Sequence, residues 1–95
     1  MVEVQLSGVL VCRTADDVAV VERHLAQHVA LTRAEEGCIS FDVVRDDRDP
    51  LVWRVDERFR DAAGFRAHQD RVAGSAWGEA TRGLERRYTV EGVTG

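Results

Sequence analysis

From Val2 to Arg13 alternate positions are apolar, with Val4, Leu6 and Leu10 in phase with Gly8, while Val9 and Val11 add apolar residues on the other face. A period of two predicts a strand, and apolar residues in both phases predict one covered on both sides. Thr14 stands three residues before Asp17, a capping-box-like start, and Val18, Val21, Leu25, Val29 and Thr32 follow at helical spacing, which predicts a helix from Ala15 to Arg33. After Gly37, Ile39, Phe41 and Val43 alternate with Ser40 and Asp42 in a second strand. The charged stretch from Arg45 to Pro50 holds the only proline and reads as a hairpin turn into a third strand, Leu51 to Phe59. Asp61 can cap a short helix reaching about Gln69, with Phe65 facing inward, and Ser75 can cap another that carries Trp77, Ala80 and Leu84. Arg87 to Glu91 alternates once more as a fourth strand.

The order βαββα(α)β predicts an α+β domain of ferredoxin-like type. Right-handed crossovers would set the third strand between the first and second in a four-stranded antiparallel sheet and place the helices on one face. Val9, Val11, Val44, Trp53 and Val55, or their pleat neighbours, are expected on the other face. An apolar face of that kind needs a cover, so a homodimer formed through the open sheet is expected. A chain of 95 residues with 44% hydrophobic content supports one core, hence one domain over 1–95.

Charge narrows the partners. The net charge of -4 comes from acidic residues and arginines scattered along the chain, with no basic run flanked by stacking aromatics, so nucleic acid is not expected. No stretch approaches the ~20 apolar residues that span a bilayer, so no membrane partner is expected and a cytoplasmic location is. Cys12 and Cys38 lack the paired spacing of a zinc or redox motif, and the third strand would hold them apart, so both are expected reduced.

Few residues carry candidate chemistry. His68 near a helix end is either a general base or a structural histidine bonded to a neighbouring carbonyl. Glu57 shares a strand face with Trp53, Val55 and Phe59; a carboxylate there needs a partner, Arg87 or His68, and burial could raise its pKa for acid–base work. His24 and His28 stand four apart on the first helix, but no glutamate or further ligand cluster completes a metal site, and no metal is expected. His28 could line an aromatic pocket with Trp77, Phe41, Phe65 and Tyr88, the alternative being plain core; Trp77 and Tyr88 carry polar handles. No phosphate loop, dinucleotide fingerprint or flavin motif is present in the sequence.

Gly37-Cys38 at the opening of the second strand, Glu57-Arg58-Phe59 at the end of the third, Phe65-x-x-His68 and Ser75-x-Trp77 resemble the antibiotic biosynthesis monooxygenase family over nearly the whole chain. The resemblance implies a dimeric α/β-barrel and an enzyme that oxidises a quinol, anthrone or related phenolic substrate with molecular oxygen, without metal or flavin. It implies proton-abstracting or anion-stabilising duty for His68 or His28, and a substrate pocket of Trp53, Glu57, Phe65, Trp77 and Tyr88. The chain has no Asn, which haem-degrading relatives place beside the metal, so haem degradation is not expected. The same fold also hosts non-catalytic dimeric small-ligand-binding, stress-type or accessory modules, and lactone isomerases, so the fold alone does not choose between them.

Overall fold

A computed structural model describes residues 2–92, so residue 1 and residues 93–95 of the expected domain lie outside the described residues. Seven elements follow in the order β1 (Val4–Val11), α1 (Ala15–Arg33), β2 (Cys38–Arg45), β3 (Val52–Phe59), α2 (Ala62–Ala73), α3 (Ala76–Ala80) and β4 (Glu85–Glu91). Each helix starts where a short polar side chain can accept from an otherwise unpaired backbone N–H. Thr14 accepts from Asp17, Asp61 from Gly64 and Ser75 from Gly78.

The sheet order is β2-β3-β1-β4 and every neighbouring pair is antiparallel. This is the ferredoxin-like arrangement, with β3 between β1 and β2 as expected. The register aligns Val4 with Phe59, Leu6 with Glu57, Gly8 with Val55 and Leu10 with Trp53. Since opposed residues of a pair share a face, Trp53, Val55, Glu57 and Phe59 all turn towards the helices. Val55 and Trp53 are therefore buried in the helix-side core, not on the open face expected for them. The strict alternation of β3, inward at Trp53, Val55, Glu57 and Phe59 and exposed at Arg54, Asp56 and Arg58, puts the four on one face, and pairing with buried Leu6 and Leu10 makes that face the helix-covered one. The open face keeps half-buried Val9 and Val11 and exposed Val44, beside Arg54, Asp56 and Arg58.

The second helix runs one turn beyond Gln69, to Ala73, because Arg71 and Val72 continue the helical backbone before Gly74 ends it. The third is a single short turn region ending at Ala80, so Leu84 is buried just outside it. Two glycines set the distance between layers. A Cβ on Gly37 would lie 2.9 Å from the Cα of Gly64, so the entry of β2 touches the first turn of α2 backbone to backbone. That close approach brings the segment after α1, with Glu35, against the inner face of α2.

Candidate functional site

Helix α1 contributes His28 and Thr32 to the space between helices and sheet, and both are buried. Helix α2 contributes His68 one turn after Phe65, the i, i+3 spacing that puts both on its inward face. The inward face of β3 contributes Glu57 and Phe59, β2 contributes Phe41, and α3 contributes Trp77.

These side chains form a closed aromatic cluster. His28 stacks flat on Trp77, with ring centroids 4.4 Å apart and an interplanar angle of 1°. Phe41 meets His28 edge-on at 5.2 Å, His68 lies 6.2 Å from His28, and Phe59 lies 4.9 Å from His68. The rings of His28, Trp77, Phe41, His68 and Phe59 thus pack on one another. A surface cavity of about 480 Å³ is lined by Glu35, Glu36, Gly37, Arg60, Asp61, Ala63, Gly64 and Ala67.

A polar chain runs through the cluster. His68 Nδ1 lies 2.7 Å from Glu35 Oε1, and Arg71 Nε donates to Glu35 Oε2 at 3.1 Å. Arg71 Nη2 donates to Thr32 Oγ1 at 3.1 Å, and that hydroxyl donates to the His28 carbonyl at 2.8 Å. On the other side of the ring, His68 Nε2 is 3.7 Å from Glu57 Oε1, too long for a direct hydrogen bond but close enough for the two groups to feel each other's charge.

The electrostatics follow from burial. Glu57 is 7% exposed and its Oε1 has no hydrogen-bond partner. Burial, aided by the charge on Glu35, pushes its pKa from 4.5 up to about 7. Burial pushes His28 down to about 3, with the proximity of His68 adding to the effect, so His28 is neutral. Burial also lowers His68, while its hydrogen bond to Glu35 opposes the shift. Glu35 behaves differently: burial would raise it, but the hydrogen bonds from Arg71 and His68 outweigh that and hold it below the usual carboxylate value. At neutral pH the buried set is an ionised Glu35 paired with Arg71, a neutral His68, and a Glu57 near half-protonation.

Five of the seven residues singled out from the sequence meet here or border the cluster. His68, His28, Glu57 and Trp77 form it, and Tyr88 stands on β4 opposite Gly8, on the same sheet face as Glu57. Burial raises the Tyr88 phenol to about 12, against the pull of Arg86. Phe65 packs behind, against Phe59 at 5.7 Å. Trp53 sits six residues along β3 from Phe59, about 20 Å at the rise of a strand, where its indole meets the Cys12 thiol. Of the two groups expected beside Glu57, His68 is the one that faces it, at 3.7 Å and without a direct hydrogen bond, while Arg87 points to the other face of β4 and pairs with Glu85.

Sequence reasoning missed Glu35, Arg71 and Thr32. Arg71 stands three residues after His68 on α2, a spacing that places them side by side, so the sequence held that signal. Glu35 held none, since only the Gly37–Gly64 contact brings it to α2. Cys12 and Cys38 are both free, and among the described residues no cluster of three or more His, Cys, Asp or Glu side chains could hold a metal ion. Among the described residues no helix is long and apolar enough to cross a membrane.

A ferredoxin-like α+β domain whose helix–sheet interface buries two histidines and a carboxyl group defines the class of protein. The sequence profile described as antibiotic biosynthesis monooxygenase matches residues 14–80, and the chain belongs to that family. No curated protein matches the chain. Among solved structures it is similar to PA3566 from Pseudomonas aeruginosa, with 24% identity, a TM-score of 0.71, and coverage of 96% of this chain and 91% of that one. It is also similar to SnoaB, a cofactor-independent oxygenase from Streptomyces nogalater, at 16% identity and a TM-score of 0.76, covering 100% of this chain and 96% of that one. A conserved protein from Methanosarcina mazei matches at 16% identity and a TM-score of 0.75, covering 95% and 91%. At these identities the likeness establishes the fold.

Proposed function

We propose that the protein is a monooxygenase that acts with molecular oxygen on a quinol, anthrone or related phenolic substrate, using its own acid–base groups and no metal or flavin. The carrying observation is the facing pair His68 Nε2 and Glu57 Oε1, buried among aromatic rings and 3.7 Å apart. A structural core rarely keeps unpartnered polar atoms, yet His28 Nδ1 and Glu57 Oε1 are both buried without partners. A substrate hydroxyl can donate to Glu57 Oε1, and His28 Nδ1 is free to bond a second substrate oxygen.

In this reading a phenolic substrate separates the rings of His28, Trp77 and Phe41 and gives its proton to His68 Nε2, with Glu57 sharing it. The electron-rich anion left behind passes an electron to oxygen, the radical pair combines to a substrate peroxide, and cleavage of its O–O bond with loss of water leaves one oxygen atom in a quinone-level product, the substrate supplying all the electrons. His68 is the base in preference to His28, because a group that protonates only near pH 3 is a weak acceptor at neutral pH. His28 and Trp77 are assigned to binding, as a stacked pair against the substrate ring.

A second reading rests on the filled cluster: a non-catalytic, dimeric module that holds a small ligand or assists a partner enzyme. In both readings the open sheet face with Val9, Val11 and Val44 pairs with a second copy. Oxygen uptake by the metal-free protein with a panel of quinols and anthrones separates them, alongside light scattering that reads twice the 10.6 kDa chain mass for a dimer. Uptake dependent on the protein supports the monooxygenase; no uptake across the panel from a folded dimer supports the module.

A further inference from the structure

We infer that Glu35, oriented by Arg71, is a positioning residue that fixes the tautomer of His68 and so decides which ring nitrogen faces the site. This rests on the reading of His68 as the base, but its test does not need turnover. A neutral imidazole has one N–H and one lone pair, and the partner of one nitrogen dictates the state of the other. Glu35 is 19% exposed at the side chain, lines the surface cavity and is doubly hydrogen-bonded, so it stays an ionised acceptor. An acceptor 2.7 Å from Nδ1 requires the proton to be on Nδ1. Nε2 is then the bare nitrogen, and it is the one turned to Glu57 and the aromatic cluster.

Arg71 makes the arrangement one-way. Its guanidinium only donates, so it claims one oxygen of residue 35 whatever else changes. In a Glu35→Gln variant the single amide oxygen goes to Arg71, because turning the amide round would set its NH2 against the guanidinium. The NH2 then points at His68 Nδ1, which must become an acceptor, and the proton moves to Nε2. The variant keeps the shape of the site and inverts the base. Removing the guanidinium as well, in Glu35→Gln/Arg71→Met, frees the amide to turn its oxygen to His68 and restores the Nδ1–H form.

The other titratable groups facing this ring leave the prediction unchanged. Glu57 from β3 takes or gives a proton at Nε2, and His28 from α1, pushed down to about 3 by burial, is neutral.

The test is the long-range 1H–15N correlation spectrum of the His68 ring at pH 7, in wild type, Glu35→Gln and the double variant. Expected are Nδ1–H, Nε2–H and Nδ1–H in turn. Nε2–H in the wild type, or no change in Glu35→Gln, overturns the assignment; the wild-type spectrum alone does so even where a variant fails to fold. Oxygen uptake then distinguishes this inference from the function it rests on. A correct tautomer series with no turnover in any protein sinks the monooxygenase reading and leaves the role of Glu35 standing. Turnover by Glu35→Gln equal to wild type, with the tautomer inverted, removes the catalytic meaning of the clamp.

Discussion

A His68→Gln variant is expected to lose about 10²- to 10⁴-fold in kcat/KM for oxygen uptake with a quinol, the range a positioned general base contributes. Glutamine preserves much of what is structural about residue 68. Its amide NH2 can donate to Glu35 in place of Nδ1–H, and it fills most of the ring's volume against Phe59. It has no basic nitrogen, so the ring's share in accepting the proton is removed while Glu57 stays. A drop in kcat with KM unchanged marks an interaction made in the transition state. Full turnover by a folded His68→Gln protein would take His68 out of the proton path.

Replacing Glu57 with glutamine is expected to stabilise the protein at alkaline pH while leaving it nearly unchanged in mild acid. The folded-state pKa of about 7 lies above the ordinary 4.5, so the native state holds a proton that the unfolded chain has released between these values. Stability from this group is therefore complete below pH 4.5 and is lost as pH rises through 7. The full difference is about 3 kcal/mol at 1.36 kcal/mol per pKa unit. Urea titrations at pH 5 and pH 8 should show wild type losing most of that amount relative to Glu57→Gln. His28 works in the opposite direction: its pKa is depressed to about 3, so its contribution is present above pH 6.5 and lost as pH falls through 3. The wild type should thus be most stable in the mildly acidic range between the two losses. Equal urea midpoint shifts in both proteins from pH 5 to 8 would mean that Glu57 titrates as an exposed carboxyl.

The sequence carried the fold in its periodicities. Thr14, Asp61 and Ser75 were readable as caps because a short side-chain oxygen at the right place answers a local need of the backbone. The hairpin from Arg45 to Pro50 was readable because a polar run with proline cannot continue a strand. The inward direction of Trp53 and Val55 was not, since both phases of β1 are apolar and only the pairing register with Leu10 and Gly8 settles which face of the sheet is covered. At the site, Glu57 and His68 stood out because a carboxyl among Trp53, Val55 and Phe59 and a histidine three residues after Phe65 both demand partners. That they partner one another depends on where α2 crosses β3, which the Gly37–Gly64 contact fixes and no local pattern encodes. Glu35, which lies 2.7 Å from His68 Nδ1, was invisible for the same reason.

The central claim is that His68 and Glu57 together accept the substrate's proton, and the pH dependence of kcat/KM for oxygen uptake tests it most directly. Wild type is expected to gain activity as pH rises through about 7, where Glu57 gives up its proton and the pair is free to take another. In Glu57→Gln the rise should move to below pH 6.5, where buried His68 alone titrates. Profiles that coincide in the two proteins would contradict the claim.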